Sequence, residues 1–178
     1  MSKGLRRTAV AGVAALALGA GSGVWAATSA SAASEAAIPR CAPGQLGVWV
    51  NVDSGNGAAG SIYYHLDFTN TSGETCHLYG YPGVSATTSN GTQLGDAAAR
   101  DSAVPASYVN IPPGGTAHAV LRYSDAEVST SGCKPADASL LKVYPPNDFS
   151  ARDAFFSLPA CTVKGHNYLS IRRVQPGA

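Results

Sequence analysis

Residues 61–83 constrain the chain more than any other stretch. They read Ser-Ile-Tyr-Tyr-His-Leu-Asp-Phe-Thr-Asn-Thr-Ser-Gly-Glu-Thr-Cys-His-Leu-Tyr-Gly-Tyr-Pro-Gly. Ile62, Tyr64, Leu66 and Phe68 alternate with Tyr63, His65, Asp67 and Thr69. A period of two places one set against a core and the other toward water, which is the pattern of a half-buried strand. Apolar spacing of three and four residues, which a helix needs, is missing here. Asn70, Ser72 and Gly73 form a turn cluster: the Asn and Ser side chains bond nearby backbone and Gly73 offers a positive φ. Cys76 follows as the chain returns, and Pro82-Gly83 fits the centre of a type II turn. The stretch predicts a strand, a turn, a cysteine-anchored return strand and a sharp corner.

The same period recurs along the chain. Leu46, Val48, Val50 and Val52 alternate with Gly47, Trp49 and Asn51 in a first strand, and residues 53–60 form a Gly- and Asn-rich turn. Residues 84–88 make a strand, Ser89-Asn90-Gly91-Thr92 is a hairpin signal, and Gln93-Leu94 begins the return. Residues 97–100 read as one helical turn, limited by Pro105. A short strand at Tyr108, Val109 and Ile111 ends at Pro112-Pro113-Gly114-Gly115. Ala117, Ala119, Leu121 and Tyr123 alternate with Thr116, His118, Val120 and Arg122. A long polar connection, 124–135, precedes a strand at 140–144 that Pro145-Pro146 stops. Strands at 154–158 and around Leu169 and Ile171 complete the set. About seven to nine short strands without a helix of useful length predict an all-β fold, an antiparallel immunoglobulin-like β-sandwich.

Asn70-Thr71 to Cys76 and then Leu78-Tyr79-Gly80-Tyr81-Pro82-Gly83-Val84 resemble the signature of the family called domain of unknown function 4232. Cys41, the Pro112-Pro113-Gly114-Gly115 turn and the paired Pro145-Pro146 are similar to its general pattern. The resemblance covers nearly all of the chain after about residue 41. It implies a β-sandwich in a secreted protein or lipoprotein of actinobacteria. It implies no activity and carries over no functional residue.

Lys3, Arg6 and Arg7 precede an apolar run from Thr8 to Ala27 and a small-x-small site at Ala30-Ser31-Ala32. Together these predict a secretory signal peptide over residues 1–32, cut between Ala26 and Ala33. The run is broken by Gly19, Gly21, Ser22 and Gly23, which argues against a membrane anchor of ~20 strongly apolar residues. Arg6-Arg7 fits the twin-arginine route poorly. Ile38-Pro39-Arg40 before Cys41 is no lipoprotein box, and residues 174–178 show no hydrophobic tail. A disordered Ala-Ser tail, 33–40, and one domain, 41–178, follow. Of twelve basic residues, three leave with the signal, so nine face eleven acids and the mature charge is −2. That balance excludes a basic nucleic-acid surface or a polybasic membrane contact.

Cys41, Cys76, Cys133 and Cys161 are the only cysteines. An even number in an exported chain implies two disulfides, with three possible connectivities. The pairs Cys41–Cys76 and Cys133–Cys161 are expected, because each closes a modest loop. The absence of a Cys-x-x-Cys spacing disfavours a four-cysteine metal site.

Signals of chemistry are sparse. His65 and His118 fall on outward faces and would meet if their strands paired, the one route to a small extracytoplasmic metal-binding protein. No methionine remains after export to build a Met-rich copper site. Gly83-Val84-Ser85-Ala86-Thr87 lacks the form of a nucleophile elbow, and no phosphate or dinucleotide fingerprint occurs. Asp53, Asp67, Glu74 and Asp96 leave room for a secreted hydrolase with an unrecognised carboxylate pair. Trp49, Tyr63, Tyr79, Tyr81, Tyr108 and Tyr123 form a large aromatic set. Trp49 and Tyr63, outward on their strands, are the expected ligand contacts, since exposed rings stack on sugars or anchor protein partners. No catalytic residue, metal ligand or cofactor is assigned. The chain reads as a non-enzymatic binding module at the cell envelope or in the medium, with a cell-wall glycan or another secreted protein as partner, no nucleic acid, and no membrane span after signal cleavage.

Overall fold

A computed structural model describes residues 37–177. The expected signal peptide and the first part of the tail lie outside the described residues. In chain order the strands are β1 (Leu46–Ala58), β2 (Ser61–Asn70), β3 (Cys76–Tyr79), β4 (Gly83–Thr87), β5 (Ala99–Arg100), β6 (Tyr108–Ile111), β7 (Thr116–Ser124), β8 (Pro135–Tyr144), β9 (Arg152–Cys161) and β10 (Leu169–Pro176). A one-turn helix, α1 (Asp125–Val128), follows β7.

Five strands form one sheet in the order β1-β2-β7-β10-β5, antiparallel except for the β10–β5 pair. β4-β8-β9 form a second antiparallel sheet, and β3 pairs with β6. One buried cluster draws on all three. Leu66 and Phe68 of β2 lie opposite Ala119 and Ala117 of β7, so large side chains face small ones across the ladder and the layer stays even. Val84 and Ala86 of β4, Leu141 and Val143 of β8 and Ala154 of β9 belong to the same cluster. The all-β class is as expected, with ten strands among the described residues rather than seven to nine.

Several local expectations are corrected, each for a tertiary reason. β1 does not stop at Val52. The ladder with β2 slips between Asn51 and Asn56 and then continues to Ala58. Ser54 patches the slip: its Oγ donates to the Asn51 carbonyl at 2.6 Å and accepts from the His65 amide at 2.8 Å. The hairpin closes through Ala59 and Gly60, both at positive φ (46° and 75°), as a type I′ turn requires. The corner after β3 turns at Gly80, whose φ is +110°, whereas neither Gly83 nor Gly73 has a positive φ. Gly83 instead opens β4 opposite Tyr144. Residues 97–100 make no helical turn, because Ala99 and Arg100 pair with Ser170 and Ile171 at the sheet edge. α1 forms inside the expected polar connection, where Val128 is buried. β8 begins at Pro135, five residues early, because β9 extends to Cys161 and offers a partner.

The disulfides are Cys41–Cys76 and Cys133–Cys161, with Cα separations of 4.8 and 5.4 Å. The residues just before the first of them are already held in place. His77 of β3 donates its amide to the Pro39 carbonyl at 2.9 Å, and its carbonyl accepts the Cys41 amide at 3.0 Å. The end of the expected disordered tail is therefore held as an extension of the β3 edge. Among the described residues, no helix is long and apolar enough to cross a membrane.

Candidate functional site

A groove of about 660 Å³ opens where the 79–83 corner meets the 144–149 turn. Local patterning builds both walls. In β3, Cys76 and Leu78 are buried, which turns His77 and Tyr79 the other way. β6 repeats the pattern: Val109 and Ile111 go inward and Tyr108 stays 70% exposed. Tyr79 and Tyr108 are register partners, with ring centroids 4.7 Å apart and planes tilted by 38°. His77 meets the Tyr108 ring edge-on at 5.0 Å.

Gly80 then reverses the chain, and its carbonyl accepts the Val174 amide at 2.9 Å. The Tyr81 hydroxyl donates to the Val104 carbonyl at 2.7 Å. Across the groove, the Tyr144 ring lies against Gly83, where an added Cβ would sit 3.6 Å from the ring edge. Pro145 and Pro146 cannot continue the ladder. Asn147 takes a positive φ of 58° and donates through Nδ2 to the Tyr79 carbonyl at 3.0 Å, which ties the two walls together. Arg40 caps the Asn147 carbonyl at 2.6 Å. Phe149, 95% exposed, stands at the rim. Arg100 and Asp148 also line the groove. Asp148 accepts the Ser150 amide on Oδ1 at 2.9 Å, while its buried Oδ2 has no partner.

A second cluster occupies the outer face of the five-stranded sheet. β2 does pair with β7, and His65 and His118 stack with centroids 4.1 Å apart and planes within 16°. Face-to-face rings direct their nitrogens in the ring planes rather than toward a point between them. Among the described residues, no three His, Cys, Asp or Glu side chains converge to hold a metal ion. Asp67, expected at the surface, is only 6% exposed and lies opposite both Trp49 and His118. Burial raises its carboxyl above the ordinary range, opposed by His65, His118 and the Asn51 side chain. Burial chiefly lowers His118, helped by the neighbouring His65 and opposed by Asp67.

Trp49 is exposed and donates from Nε1 to Thr69 Oγ1 at 3.4 Å. Tyr63 is half-buried on the same face. It lies four residues along β2 from Trp49's partner Asp67, which is about 13 Å along a strand. Neither ring lines the groove between Tyr79 and Phe149.

The run that shapes the groove's first wall is the run that carries the family signature. A family model described as Domain of unknown function (DUF4232) matches residues 41–175. The chain belongs to this family. The DUF4232 domain thus contains both disulfides and every residue of the groove. No curated protein and no solved structure matches the chain.

Of the groove residues, Tyr79 and Tyr81 were legible as members of the aromatic set, as was Tyr108, which packs on Tyr79. Tyr144, Phe149, Arg100 and Asp148 were not, because 147–153 reads only as a turn and Arg100 as part of a helical turn. The one usable signal was the Pro-Pro stop between two exposed rings. Tyr123 belongs elsewhere: it is buried, and burial with Asp125 beside it pushes its hydroxyl up to about 12. None of Asp53, Asp67, Glu74 and Asp96 lines the groove, whose wall carries a single carboxylate, Asp148.

Proposed function

We propose that this DUF4232 domain is a secreted, non-catalytic binding module on an immunoglobulin-like β-sandwich. It acts at the cell envelope or in the medium and takes its ligand in the groove between Tyr79 and Phe149. The observation that carries the reading is the groove itself: exposed rings on two walls that are clamped to each other through Asn147 and backed by the Cys41–Cys76 bond. Rings held in place by such contacts lose little entropy on binding. A signal-like N-terminal segment and two disulfides are compatible with export to an oxidising compartment. A wall with one carboxylate favours binding over hydrolysis by a carboxylate pair.

Co-sedimentation of the oxidised protein with cell envelopes, before and after the envelopes are stripped of protein, tests this. Tyr144→Ala and Phe149→Ala are each expected to weaken retention by about tenfold or more. Loss of retention in Trp49→Ala and Tyr63→Ala instead would move the site to the outer sheet face. No retention of the unaltered protein would remove the envelope as the place of action.

A further inference from the structure

We infer that the ligand of this groove is a neutral glycan, a chain of hexoses bearing hydroxyl or acetamido groups. The inference rests on the groove being the binding site, as proposed above, and adds the chemical class.

Three features point the same way. The first is the rings. Tyr79, Tyr144 and Phe149 line the groove; Tyr108 packs against Tyr79 from beside it, and Tyr144 packs against Gly83. A pyranose presents a C–H face that stacks on such rings, with its hydroxyls at the edge. Among the described tyrosines, Tyr81, Tyr123 and Tyr168 commit their hydroxyls to protein acceptors, whereas those of the lining Tyr79 and Tyr144 have no protein partner. The second is the polar set. Arg100 supplies donors only, while the Tyr79 and Tyr144 hydroxyls can accept as well as donate. Sugar hydroxyls and acetamido groups bring both donors and acceptors, so one ligand class answers this set.

The third is what the lining lacks. It holds one cation and one carboxylate, so its fixed charges cancel and favour neither a polyanion nor a polycation. It contains no Leu, Ile, Val or Met to receive an aliphatic peptide side chain. At 660 Å³ the groove falls within the ~300–1,000 Å³ typical of small-ligand sites.

The test is an NMR titration of the oxidised protein with chitotetraose, cellotetraose and maltotetraose, and with a decaproline peptide as competitor. The backbone amides of Gly80, Gly83 and Asn147 are the reporters. At least one tetrasaccharide is expected to saturate these shifts. Tyr144→Ala and Arg100→Gln should each weaken that binding by about tenfold or more, and Trp49→Ala should leave it unchanged. Arg100 pairs with Ile171 through its backbone, which Arg100→Gln keeps, so lost binding in a folded variant reports the ligand contact. Saturation by decaproline alone overturns the glycan assignment and leaves the groove standing. If no probe moves the reporters, the glycan assignment also falls. The groove then survives only if envelope retention still depends on Tyr144 and Phe149.

Discussion

Asn70 is fully buried, and both polar atoms of its side chain are used. Nδ2 donates to the carbonyls of Glu74 (2.8 Å) and Ile111 (2.9 Å), and Oδ1 accepts the Ser72 amide (2.9 Å) and hydroxyl (2.7 Å). The side chain thus shapes the 70–74 turn and fastens it to β6. Its place in a turn was legible, but its cross-link to Ile111 was not. Asn70→Ala would take this donor from the buried Ile111 carbonyl and free the 70–74 turn, and should cost about 1–3 kcal/mol, read as a lower guanidinium midpoint at unchanged slope. His118 makes a second prediction at this scale. Its folded pKa lies below the ordinary 6.5, so between those two values the unfolded chain binds more protons than the native one. Its contribution is therefore present above the unfolded value and is lost as pH falls toward the folded one. Asp67, raised by burial, has the opposite slope at lower pH, between 3.8 and its folded value. Because Asp67 pulls His118 upward, Asp67→Asn should lower the His118 midpoint further, seen in the imidazole Hε1 shifts against pH.

At the scale of elements, the strands with strict alternation were the easiest to read. β7 buries every second residue from Ala117 to Tyr123, as its spelling predicts. Boundaries were harder, because a strand ends where its partner ends. The 53–60 segment is rich in Gly and Asn and looks like a loop, yet β2 continues opposite it and Ser54 bridges the slip. Residues 97–100 have helical composition, but a sheet edge pairs with them and overrides a propensity worth only tenths of a kcal/mol per residue. The β1–β2 hairpin carries a specific cost: Ala59 sits at φ +46°, a region that L-residues other than Asn, Asp and Gly rarely enter. Ala59→Asn would create the Asn-Gly pair that type I′ turns prefer. It is expected to stabilise the fold by about 0.5–1 kcal/mol, measurable as a rise in Tm.

For the whole molecule, the two disulfides divide the work. Cys41–Cys76 ties the chain entry to β3, three residues before Tyr79, and Cys133–Cys161 joins the start of β8 to the end of β9. The loops they close span 35 and 28 residues, so each bond should contribute about 4 kcal/mol on the chain-entropy model. A Cys41→Ala/Cys76→Ala variant should lose about that much in a denaturation midpoint. It should also weaken any ligand of the groove, which a Cys133→Ala/Cys161→Ala variant should spare. The sequence alone determined the all-β class and the inward faces of most strands, because alternation is a local property of a chain; of three possible cysteine connectivities it only favoured, by loop length, the one that the structure contains. The groove, the stacking of His65 on His118 and the burial of Asp67 belong to the tertiary structure. Each depends on which strands become neighbours: Tyr79 beside Tyr108, Gly83 beside Tyr144, Asp67 beside His118. Those pairings are set by how all the inward faces fill one core together, and no single segment encodes that.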